Sequence, residues 1–89
     1  MWRMSDNPIK GLRMSEEQLQ KLKINLSINI KQLRKAKGLA QERLALEAGV
    51  DRTLVSKIER VISNPSLEIM HKLATCLDVS IIDLLKDSK

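Results

Sequence analysis

Apolar positions recur every three or four residues along most of this chain, and each run closes where glycine, proline or a small polar residue stands. Leu19, Leu22, Leu26, Ile30 and Leu33 keep helical spacing up to a stop at Gly38. Leu44, Ala45 and Ala48 form the apolar side of a second helix, with Gly49 placed where a left-handed C-cap costs least. At 100° per residue, Leu54, Val55 and Ile58 fall within about 60° of one line, while Arg52, Thr53, Ser56, Lys57 and Arg60 fan out on the opposite side. Asn64-Pro65-Ser66 opens a fourth helix whose core face is Leu67, Met70, Ala74 and Leu77. Ser80 and Asp83 cap a fifth, in which Ile81, Ile82, Leu84 and Leu85 are apolar almost all round. The pattern predicts an all-α fold.

The amino-terminal part is less regular. Residues 1–14, with Pro8 and Gly11 and no periodicity, read as a flexible tail. Ser15 and Gln18 have capping-box spacing, so residues 15–23 read as a separate helical extension, followed after a break near Asn25 by the first helix of a domain spanning 24–86.

The segment QERLALEAGVDRTLVSKIER, residues 41–60, carries the most functional information. Asp51 is placed to N-cap the second of its two helices, which makes Gly49 to Asp51 a three-residue turn joining them at a steep angle. One helix face packs and the other reaches outward, a layout suited to reading DNA.

The run LRKAKGLAQERLALEAGVDRTLVSKIER, followed by NPSLEIMHKLATCLDVSIIDLL, resembles the phage Cro and repressor type of helix-turn-helix domain, the XRE family, and within it the controller proteins of restriction-modification systems. The resemblance implies a compact five-helix lambda-repressor-like DNA-binding domain with an N-terminal extension, dimeric through its last two helices. Two positions depart from the family pattern. Ala40 stands where such domains offer Ser or Thr as an N-cap, a loss of roughly 1 kcal/mol. Val61 stands where glycine commonly follows the Glu-Arg end of the recognition helix; a β-branched residue resists positive φ, so the loop from Val61 to Asn64 is expected to leave by another route.

Composition narrows the picture. The 89 residues make one small domain, expected to be marginal as a monomer. Trp2 is the only aromatic residue, so the core must be aliphatic and the folded part has no base-stacking platform for single strands. A single cysteine excludes an internal disulfide, and neither a signal run nor an 18-residue apolar span is present, which reads as a soluble cytoplasmic protein with no membrane partner. The formal charge of +5 is uneven: residues 1–60 hold 13 Lys and Arg against 7 Asp and Glu, and residues 61–89 hold 3 against 4. A basic front half suits a protein whose front meets phosphates and whose back meets a second copy.

The candidate site follows from these features. Arg52 begins the recognition helix, where guanidinium can present two donors to guanine O6 and N7; with Thr53, Ser56 and Lys57 it forms the base-reading set that the resemblance supports. Gln41, at the start of the preceding helix, Arg43, Arg60 and Lys35 are the phosphate candidates, although Arg43 and Arg60 could instead pair with Glu47 or Glu59. Lys35 belongs to a cluster with Lys31, Arg34 and Lys37 that also suits the negative pole of its helix. Ile69, Leu73, Cys76, Ile81, Ile82 and Leu85 are the candidate homodimer surface, since an outer helix cannot bury so much apolar area alone.

His71 and Cys76 lie about 140° apart on a helix and cannot share a nucleophile-base hydrogen bond, and no second His or Cys completes a metal site. No cofactor and no enzymatic set is expected. The leading function is a dimeric, sequence-specific regulator on a palindromic double-stranded operator; the alternative is an antitoxin or anti-repressor type of protein-interaction module.

Overall fold

A computed structural model of the chain describes the backbone of residues 8–88 and the side chains from residue 15 onward. Its elements are five helices: α1 (Pro8–Ala36), α2 (Gln41–Ala48), α3 (Leu54–Glu59), α4 (Leu67–Cys76) and α5 (Ile81–Leu85). The all-α expectation holds, with one change at the amino end. Residues 8–14 are helical where a tail is predicted, residues 1–7 lie outside the described residues, and no break occurs near Asn25: α1 runs unbroken for 29 residues. Pro8 occupies the first helical position, where its missing N–H costs nothing. Asn25 does not interrupt the helix because its amide is used elsewhere, donating to the Leu85 carbonyl at 3.1 Å and to Asp87 at 3.2 Å.

The core is aliphatic, as composition requires. Leu26, Ile30, Leu44, Ala45, Val55, Ile58, Leu73, Ala74, Leu77 and Leu84 are buried, drawn from all five helices. α1 packs on α3 and α5, and α2 packs on α3 and α4. Two positions of α4 trade places with expectation. Leu67, predicted on the core face, is 67% exposed, and Leu73, predicted to face a partner, is fully buried inside the chain. The helix is therefore turned so that the supposed second stripe contributes to the core.

Four helices end in the same way. Gly38, Gly49, Val61 and Asp78 all adopt left-handed backbone conformations, with φ of 70°, 73°, 61° and 60°. In each case the following N–H reaches back across the last turn: Leu39 to Arg34, Val50 to Ala45, Ile62 to Lys57 and Val79 to Ala74. This is the Schellman closure, which satisfies carbonyls that the helix leaves open. Val61 thus takes the left-handed conformation that suits glycine despite its β-branched side chain, which the sequence expectation had it avoid. The hydrogen bonds that close the helix impose a conformation that a β-branched residue disfavours.

The cap of α5 is the one read from sequence, whereas α4 starts at Leu67, after Pro65 rather than with it in the first turn. Ser66 accepts a hydrogen bond from the Ile69 N–H, and Ser80 with Asp83 forms a reciprocal capping box. Ala40 occupies the N-cap of α2 with no side-chain bond. α5, only five residues long, is held from outside: Asn29 of α1 donates to the Leu84 and Lys86 carbonyls, both at 2.9 Å.

Candidate nucleic-acid interface

α2 and α3 meet through the turn from Gly49 to Thr53. The turn is longer than predicted, because regular helix starts at Leu54 rather than directly after Asp51. The N-cap of α3 is therefore Thr53, which makes no side-chain cap bond, and Asp51 braces the turn instead. Its Oδ1 accepts from both the Thr53 N–H and the Thr53 hydroxyl at 2.7 Å, and its carbonyl accepts from the Leu54 N–H. Those hydrogen bonds from Thr53, with the charges of Lys57 and Arg52 behind them, hold the Asp51 carboxyl below the usual aspartate range.

Val55 and Ile58 seat α3 in the core, and the residues opposite them stand outward. Arg52, Thr53, Lys57 and Arg60 are exposed; Ser56 is half-buried. The four predicted base readers therefore lie on one outward surface, with Arg52 and Thr53 in the turn and Ser56 and Lys57 on the helix proper. The Thr53 hydroxyl proton is committed to Asp51, which leaves that oxygen as an acceptor.

Ion pairing sorts the cations. Among the described residues, Lys37 pairs with Asp78 at 2.8 Å, Arg43 with Glu47 at 2.7 Å, Lys72 with Glu68 at 3.8 Å and Lys86 with Asp83 at 3.3 Å. Lys31, Lys35, Arg52, Lys57 and Arg60 have no carboxylate within 4.0 Å among those residues. Arg60 makes only a long 3.4 Å contact to the Ser56 carbonyl, one turn back. Of the phosphate candidates, Lys35 and Arg60 thus remain uncommitted, whereas Arg43 takes the alternative partner Glu47.

A buried cluster stands behind this surface, and sequence spacing carried no sign of it. Arg34 of α1 donates through Nε and the terminal nitrogens to both oxygens of Glu59, at 2.7 and 3.1 Å, and also to the Leu39 carbonyl at 2.7 Å. The Gln41 amide donates to Glu59 as well, at 2.9 Å, so it does not reach outward as a clamp. The side chains of Arg34 and Glu59 are 10% and 6% exposed. Burial alone would push the Glu59 carboxyl up, but the hydrogen bonds from Arg34 and Gln41, with the charges of Arg34 and Lys31, bring it below the usual glutamate range. Arg34, read along the chain as one of a basic cluster at the end of its helix, is the tie that joins the end of α1, the start of α2 and the end of α3.

The chain matches the helix-turn-helix family HTH_3 over residues 30–84. It belongs to this XRE-type helix-turn-helix family. It is 44% identical over 59 residues to the transcriptional regulator SinR of Bacillus licheniformis, a match covering 65% of this chain and 53% of SinR. The chain thus spans about half the length of that relative. The crystal structure of the Neisseria hypothetical transcription factor NHTF superposes with a TM-score of 0.72 at 40% identity, over 76% of this chain and 78% of that one. The restriction-modification controller protein C.AhdI from Aeromonas hydrophila gives 0.66 at 42% identity, over 70% and 94%. The family match runs from the last part of α1 through α2, α3 and α4 into α5, and leaves residues 1–29 outside it.

No helix among the described residues is long and apolar enough to cross a membrane, and no group of three metal-ligating side chains is found among them. Cys76 lies half-buried beside Glu47, 3.9 Å from its carboxylate, and burial is the chief cause that pushes its thiol up. That is the opposite of an activated nucleophile.

Proposed function

We propose that this protein regulates transcription by binding duplex DNA as a homodimer, with the outward face of the Arg52–Arg60 segment in the major groove of each half of a palindromic operator. The observation that carries this reading is the set of uncompensated cations on that face, in a molecule whose other exposed basic residues mostly have carboxylate partners. A guanidinium or ammonium group left without a counter-charge is free to exchange its counterions for phosphates, or to bond a guanine edge. Similarity to SinR and to the two crystallised regulators supports the same reading.

Arg52, Thr53, Ser56 and Lys57 are the proposed base readers, and Lys35 and Arg60 the phosphate contacts. Arg43 would contact phosphate only by releasing Glu47. Gln41 acts through Glu59, by fixing the relative position of α2 and α3. The dimer surface is built on Ile82, which is 76% exposed, with Ile81 and Leu85 half-buried on the same helix and Ile69 and Cys76 half-buried on α4. Two-fold pairing through α5 would set recognition surfaces about 34 Å apart, one turn of the duplex. Occupation of promoter sequence then represses, including at the protein's own promoter.

Selection of binding sites from random duplex DNA tests this reading. The wild type should recover a palindrome, and Arg52→Ala should lose preference at one symmetric base pair while nonspecific binding persists. Recovery of no enriched sequence would overturn it.

A further inference from the structure

The amino-terminal part of α1 stands apart from the domain that it enters. Burial along α1 begins at Asn25; residues 15–22 are all exposed, yet they belong to a helix that continues for 29 residues. A helical arm without tertiary cover is marginal in water, because its stability comes chiefly from packing an apolar face. The arm has such a face. Leu19 and Leu22 are 46% and 41% exposed and continue the three-four spacing that leads to the buried Leu26.

The arm also borders the carboxyl end of α5. A cleft of about 420 Å³ lies between them, lined by Gln18, Leu22 and Asn25 of the arm and by Leu85 and Asp87 at the carboxyl end of the chain. The Lys21–Asp87 ion pair, 3.6 Å, and the hydrogen bonds of Asn25 to Leu85 and Asp87 tie its two walls together. Leu85 and Ile82 lie three residues apart on α5 and so share a side of it. Leu22 and Leu85, the apolar members of a lining that also includes Lys21 and Lys86, bring the arm beside the α5 surface that carries Ile82.

Charge identifies what covers the arm. The arm is acidic at one end, Glu16 and Glu17, and basic at the other, Lys21 and Lys23, within eight residues. Two copies laid parallel would oppose like charges. Laid antiparallel about a two-fold axis near residues 20 and 21, Leu19 of one arm meets Leu22 of its mate, and Glu16, which flanks that face, comes beside Lys23 of the other, while Lys21 stays with Asp87 of its own chain. A single isologous patch then serves both copies.

We propose that the arm of α1 is a second half of the homodimer interface, pairing antiparallel with the arm of another copy of this chain and extending the α5 contact. The proposal rests on the homodimer reading, and the experiment separates the two. Sedimentation of the full chain across a concentration series gives the dimer dissociation constant for the wild type, Ile82→Glu, Leu19→Glu/Leu22→Glu, Glu16→Lys, Lys23→Glu, and the variant that combines both charge reversals. Circular dichroism and thermal melts establish that each variant is folded. The leucine pair and each charge reversal should weaken dimerisation about tenfold or more, and the combined reversal should restore it. Charge reversals that leave the constant unchanged, while Ile82→Glu yields monomer, overturn the arm and leave the α5 dimer standing. A wild type that stays monomeric at every concentration overturns both.

Discussion

Two sets of positive side chains lie on opposite sides of α3, and they differ in what answers their charge. Arg34, on the inner side, gives its guanidinium to both oxygens of Glu59 and to a backbone carbonyl, almost out of reach of water. Arg52, Lys57 and Arg60, on the outer side, meet no carboxylate among the described residues. The first set is structural: removal of either partner strands a desolvated charge. The second is available, because a solvated cation adds little to folding and keeps its full attraction for an anion. Because Glu59 ends the helix whose outward side carries Lys57, the pair it makes with Arg34 holds that helix and so aims the outer set.

Breaking the inner side should have the largest effect. Arg34→Ala leaves Glu59 buried without its main partner and should destabilise by about 3 kcal/mol or more, which for a domain of this size lowers the melting temperature by roughly 12 °C or more. Replacing both partners with aliphatic residues should cost less than either single change, which a double-mutant cycle by calorimetry would check. The pair also has a pH signature. Because the folded state holds Glu59 below its ordinary value of 4.5, its contribution is complete above that value and is lost as pH falls through the lower folded one. Urea midpoints measured down an acid series should therefore drop less steeply for Glu59→Gln than for the wild type.

The outer side should show the reverse. Arg52→Ala should leave the melting temperature nearly unchanged and cost about 1–3 kcal/mol of discrimination at one symmetric base pair, read by competition binding on single-base operator variants. Lys35→Ala should weaken binding evenly across sequences and lower the salt slope by about one. A uniform loss for Arg52→Ala would move that residue from base reading to phosphate contact.

Smaller changes sharpen the contrast between the ends of α2 and α3. Gly49 and Val61 make the same left-handed closure, but only glycine does so without steric cost. Val61→Gly should raise stability by about 1 kcal/mol, seen as a higher urea midpoint at unchanged slope. Ala40→Ser adds the missing cap of α2 and should contribute a similar or smaller gain, about 0.5–1 kcal/mol. Lys37→Ala, which breaks the exposed pair with Asp78, should give no measurable shift in melting temperature.

Periodicity and capping chemistry were enough to place the stops at Gly38 and Gly49, the cap at Ser80, and the inward and outward faces of α3. Each of these depends on residues within one or two turns of one another, so spacing along the chain carries it. The long-range ties were not legible. Arg34 and Glu59 are 25 residues apart, Asn29 and Leu84 55 apart, and nothing in either neighbourhood names its partner. Val61 shows the same limit in the backbone: its local preference pointed to one exit from α3, and the hydrogen bonds of the helix end imposed another.

From sequence alone come the helical class, the aliphatic core, the outward polar face of residues 52–60 and the family resemblance, because each is written in local pattern or in composition. Only the folded chain decided which cations are consumed, that Leu73 turns inward while Leu67 turns out, and that α1 continues past the domain as an arm. Those outcomes depend on how five helices fill one small volume, where burial selects among partners that spacing leaves equal.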